Sequence, residues 1–157
     1  TDKKKALDYL NKASKNEVIK KLPSYTSFIY LNKSLIYFHE DNFIDAQKNM
    51  SRLILQEDFL LLDKAFQLKV LIADVIIRFK NGHQYIIDKI EDIRKNHKQL
   101  LLDKEYARDR EMINIISKKM NDEDIADDKK RILSCMSDYD SEDLDIISYN
   151  VWLRDNL

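Results

Sequence analysis

Residues 27–58 read SFIYLNKSLIYFHEDNFIDAQKNMSRLILQED, two apolar runs hinged on the polar triplet Glu40-Asp41-Asn42. In the first run Ser24 can cap a helix that continues through His39, and Tyr25, Phe28, Ile29 and Ile36 make it apolar over a wide arc. The second run, capped by Asn42 or Asp41, extends to about Gln56 with Phe43, Ala46, Met50, Leu53 and Ile54 in steps of three and four. Asp45, Lys48, Asn49 and Arg52 fall on its outer face, as a surface helix requires. Glu40-Asp41-Asn42 is the turn between the two helices.

The same reading extended outward gives about seven helical segments. A first helix spans Lys3 to about Ser14, with a continuation to Leu22 left open before Pro23 stops it. After the hairpin, Leu60 to Lys80 is apolar nearly all round through Ala65, Phe66, Ile72, Ala73, Val75, Ile76 and Phe79, which predicts the buried centre. Asn81-Gly82 ends it as a left-handed cap does, and His83 to His97 resumes with Ile86, Ile90 and Ile93 on one stripe. Lys104 to Met120 follows with Tyr106, Ile113, Ile116 and Met120 in register. Asn121 is expected to cap the next helix, whose first turn would be Asp122-Glu123-Asp124 and whose end would lie near Ser137. A last helix is expected from about Ser141, through Leu144, Ile147, Val151 and Trp152.

Composition supports an all-α chain by exclusion. With one Gly and one Pro in 157 residues there is too little turn chemistry for a sandwich, a barrel or a doubly wound sheet, and too few glycines for a phosphate-cradling loop. Charge is balanced at a net of −1 but unevenly placed: residues 1–104 carry 19 basic and 14 acidic side chains, residues 105–157 carry 8 and 14. Solvated helix faces of differing sign account for that asymmetry. The most apolar stretch, Val70 to Ile77, is broken by Asp74, so no membrane span is expected. Cys135 alone forms no internal disulfide and leaves the compartment open, with a soluble, cytoplasmic chain as the default. No linker divides the sequence, which predicts one all-helical repeat domain over 1–157; because it opens on Thr1, it is expected to be part of a longer chain.

Helix pairs recurring at roughly 34–42 residues are the pattern of helical solenoids. Residues 27–58 resemble a tetratricopeptide repeat: Tyr30 stands at the first aromatic of that family, Ser34 at the small residue of the first helix and Tyr37 at the next aromatic. Phe43 matches the aromatic that opens the second helix, Ala46 the small residue at the closest crossing, and Met50 and Leu53 the inward positions that follow. Lys33 occupies a usually apolar position, Leu53 replaces a usual alanine, and Asp58 stands where a proline commonly ends the unit. The pair from Leu60 to His97 keeps the hairpin but places Ile87 or Asp88 where the crossing alanine belongs. The resemblance implies antiparallel hairpins stacked as a short right-handed α-α superhelix. It also implies a non-catalytic scaffold that holds a protein or peptide on the first helix of each pair, here Phe28, Leu31, Leu35, Phe38 and His39. Leu35 stands where some members carry a carboxylate-clamping asparagine, so that clamp is not reproduced. An irregular helical bundle is the alternative architecture.

Other chemistry finds little support in the spacing. His39, His83 and His97 each sit near a predicted helix end, no two of them three or four residues apart, so a helical metal site is not expected. His97, as an imidazolium, would meet the negative end of its helix. Asp138 to Asp143 starts like a calcium loop, but Asp143 stands where the loop needs Gly and Tyr149 where it needs the bidentate Glu; Asp140 or Ser141 reads better as a helix cap. Cys135 has no nearby His to make it a nucleophile. Neither a catalytic residue nor a cofactor is assigned. Nucleic acid is the rival partner through Lys3-Lys4-Lys5, Lys20-Lys21 and eight tyrosines, but most aromatics fall at core spacing and the cations interleave with acids. A regulatory helical domain, or an enzyme with a composite site, completes the alternatives. An exposed apolar groove would need a cover, and a homo-oligomer is one way to supply it.

Overall fold

The computed structural model describes residues 2–22, 24–82, 85–134 and 145–156, and among these every regular element is helical, with no strand. The chain divides into two compact units, Thr1–Asp63 and Lys64–Leu157.

In the first unit α1 (Asp2–Ala13) ends well before Leu22. Asn16 turns the chain there, its Oδ1 accepting the backbone N–H of Val18 at 2.9 Å and of Ile19 at 3.2 Å, and a single 3-10 turn follows at Ile19–Lys21. Next come α2 (Tyr25–Phe38) and α3 (Phe43–Ile54), the expected hairpin, with α1 packed on α2 and its Lys3 Nζ donating to the His39 carbonyl at 3.0 Å. Ser24 does not cap α2 through its side chain as expected. Its backbone is left-handed, φ 60°, whereas a capping serine needs an extended backbone to bring its hydroxyl to the first amides. Asn42 does cap α3, Oδ1 accepting the Asp45 N–H at 3.2 Å. Ser34 and Ala46 meet at the crossing: both are buried, and the Ser34 hydroxyl donates to the Ala46 carbonyl at 2.8 Å. Asn49, expected outside, is buried, its side-chain amide satisfied by the Asp45 carbonyl one turn back at 2.8 Å. A 3-10 turn over Glu57–Leu61 ends the unit.

The second unit starts at α4 (Lys64–Lys80), not at Leu60. Leu60 and Leu61 are 70% and 82% exposed, so their apolarity marks no core position. From Gln67 to Arg78 α4 is almost wholly buried, as its composition predicts, and the buried Asp74 and Arg78 neutralise one another at 2.7 Å. Gly82, at φ 66°, takes the left-handed position that ends the helix. Then α5 (Ile86–Asn96) buries Ile86, Ile90 and Ile93 and packs on α4. A short α6 (Lys98–Leu102) and a 3-10 turn (Lys104–Tyr106), which local periodicity did not separate, lead into α7 (Ala107–Met120), packed on α4, α5 and α8 (Ala126–Ser134).

Asn121 closes α7 instead of opening α8. Asp122 is left-handed at φ 55°, its N–H reaching the Lys119 carbonyl and that of Glu123 the Lys118 carbonyl, a two-bond termination that satisfies the end of α7. The acids of the first turn of α8 are therefore Asp127 and Asp128, with Asp124 accepting the Ala126 N–H. At the carboxyl end Asp145–Ser148 is not helical, and α9 spans Tyr149–Asn156. Pro23, His83, Cys135 and the Asp138–Asp143 segment lie outside the described residues.

Candidate functional site

The residues singled out on α2 lie along one side of it, spanning about 16 Å from Phe28 to His39. Phe28 is 61% exposed, Leu31, Leu35 and Phe38 are half-buried, and His39 is exposed. The row is anchored at its far end, where the Phe38 ring meets Phe43 of α3 edge-on at 5.7 Å and His39 at 5.8 Å. An apolar row left partly in water has the chemistry of a contact surface.

A second concentration of chemistry escaped the sequence reading. In the second unit Lys69 (α4), Arg108 and Asp109 (α7), Asp145, and Tyr149 and Asn150 (α9) converge. Lys69 Nζ lies 2.8 Å from Asp109 and 3.5 Å from Asp145, and Arg108 lies 2.8 Å from Asp145 and 3.0 Å from the Asn150 side-chain oxygen. The Tyr149 hydroxyl donates to Asp109 at 2.7 Å, and the ring is flanked by the Arg108 and Lys69 cations at 5.0 and 5.6 Å. Burial, reinforced by the charges of Asp109 and Asp145, pushes the Tyr149 phenol well above its ordinary range, so it stays a neutral donor. Burial also raises the Asp145 carboxyl, against the pull of Arg108 and Lys69. Two buried carboxylates, the buried Arg108 and the part-buried Lys69 make a clasp that fastens α9 to α4 and α7. The legible trace of it was Asp109, which stands in the apolar register of Ile113 and Ile116.

The surroundings of His97 work against a charged imidazole. This residue ends α5, but its side chain is buried, 5% exposed, and burial, then the Lys64 ammonium, lower its pKa, only partly offset by the Ile93 carbonyl. A lowered histidine is protonated more readily in the unfolded chain. Its contribution to stability is therefore intact above its ordinary value of about 6.5 and is lost as pH falls below it. Urea denaturation at pH 7.5 and 5.5 should show a larger acid loss for the native chain than for His97→Phe, and equal losses would contradict this.

Among the described residues no group of three or more His, Cys, Asp or Glu is placed to hold a metal, and no helix is long and apolar enough to cross a membrane. The class these observations define is an all-α helical protein. Comparison with known proteins finds no matching family model, no matching curated protein and no matching solved structure.

Proposed function

We propose that this chain is a non-catalytic scaffold of the tetratricopeptide-like class, holding an apolar or amphipathic peptide segment along the α2 row of Phe28, Leu31, Leu35, Phe38 and His39. The observation that carries this reading is the exposure of Phe28, with three half-buried apolar neighbours in line with it, on a hairpin in which Ser34 and Ala46, the residues matched by the resemblance, are buried against one another. An aromatic held in water by a rigid helix is poised to become an interface anchor. Repeat packing of the hairpins as a right-handed superhelix belongs to the same proposal.

The test selects binders from a library of amphipathic helical peptides and measures them by calorimetry. Phe28→Asp should weaken the selected peptides about tenfold or more while changing folding stability by under about 0.5 kcal/mol, since the side chain is largely solvated. Peptides that bind Phe28→Asp as tightly as the native chain would remove this face from the function.

A further inference from the structure

On a different face of α2 from the apolar row, a cleft of ≈ 360 Å³ is lined by Ser14, Lys20, Tyr25, Thr26, Ile29, Tyr30, Lys33 and Arg52. Three of its lining side chains are cations and none is a carboxylate. Lys20 is partnered, at 2.6 Å, by Glu17 outside the lining, but Lys33 and Arg52 make no ion pair among the described residues; Arg52 instead lies over the Tyr30 ring at 6.0 Å. Burial, and after it the Arg52 and Lys15 charges, lowers the pKa of Lys33. The Tyr25 hydroxyl is shut off from solvent and finds no hydrogen-bond partner among the described residues. The amino end of α2, which no side chain caps, borders the cleft through Tyr25 and Thr26 and adds a favourable dipole for an anion.

We propose that this cleft binds a small phosphorylated ligand, its phosphomonoester dianion held between Lys33, Arg52 and Lys20 and its ring or sugar set against Tyr25, Tyr30 and Ile29. An anion between Lys33 and Arg52 would offset their mutual repulsion, and a dianion with three acceptor oxygens can answer both at once. The volume exceeds what bare phosphate needs and lies at the lower end of small-molecule sites, which calls for an attached group about the size of one ring system. Tyrosine faces and the Ile29 side chain suit that group. This proposal stands independently of the peptide face.

The test titrates the intact chain at low salt with phenyl phosphate, adenosine monophosphate and inorganic phosphate, with adenosine as the uncharged control. Both phosphomonoesters should raise the melting temperature and bind more tightly than inorganic phosphate, and adenosine should do neither. Lys33→Gln and Arg52→Gln should each weaken phosphomonoester binding about five- to tenfold, whereas Lys48→Gln, on the exposed outer side of α3, should leave it unchanged. Amide shift perturbations in the native chain, centred on Thr26, Lys33 and Arg52, give a readout that no variant's folding can confuse. Failure of both phosphomonoesters to bind at millimolar concentration, equal binding by adenosine, or unchanged affinity in both glutamine variants would overturn the proposal. A single-stranded oligonucleotide binding far more tightly than either phosphomonoester, with steep salt dependence, would overturn it in favour of nucleic acid.

Discussion

Asp109→Ala should cost about 3–5 kcal/mol of folding stability, the largest effect expected of a single substitution in this chain. Asp109 accepts from both the Lys69 ammonium and the Tyr149 hydroxyl and is buried to 1% exposure. Its removal leaves the phenol without an acceptor and Lys69 with only the longer contact to Asp145, so two desolvated donors lose their compensation together. The clasp is also what holds α9, and Trp152 packs edge-on against Phe79 of α4 at 5.3 Å. As the only tryptophan, Trp152 should report the release by a red-shifted emission before global unfolding. Tyr149→Phe should cost less, about 1–2 kcal/mol, because Asp109 keeps Lys69. The double variant should cost less than the sum, since the orphaned hydroxyl is then absent. Strict additivity, or a loss under about 1 kcal/mol for Asp109→Ala, would mean the cluster does not act as a unit.

Ala46→Leu should cost about 1–3 kcal/mol by overpacking, against under about 0.5 kcal/mol for Lys48→Leu two positions on. Ala46 is fully buried and its carbonyl accepts the Ser34 hydroxyl, so the two helices approach closely there and a larger side chain must push them apart. Lys48 faces solvent. Equal denaturation midpoints for the two variants would show that the α2–α3 contact tolerates separation and would remove the close crossing from the account of the hairpin.

Both predictions involve residues whose roles were unequally legible. Ser34 and Ala46 are small residues in otherwise bulky apolar stripes, twelve positions apart across a short turn, and it was the resemblance to a repeat pattern that matched them to one crossing. The clasp joins Lys69 to Asp109 and Asp109 to Tyr149 across 40 residues each, and no periodicity connects positions so far apart. Leu60 and Leu61 mislead for a related reason: apolar character marks a core position only when a neighbouring element covers it, and these two are left in water.

What the sequence determined by itself is the class of element and most of its limits. One Gly and one Pro leave little for a chain to build but helices, steps of three and four set the inward stripes of α3 and α5, and Asn42 and Gly82 start and stop helices through their own local bonding and backbone freedom. Tertiary structure decided which charges go inside. Lys69, Arg108, Asp109 and Asp145 are unfavourable to bury one at a time and become tolerable only when distant segments bring opposite charges and the Tyr149 hydroxyl together. His97 follows the same rule: a helix end favours an imidazolium, whereas burial and then the ammonium of Lys64, both set by packing, lower its pKa.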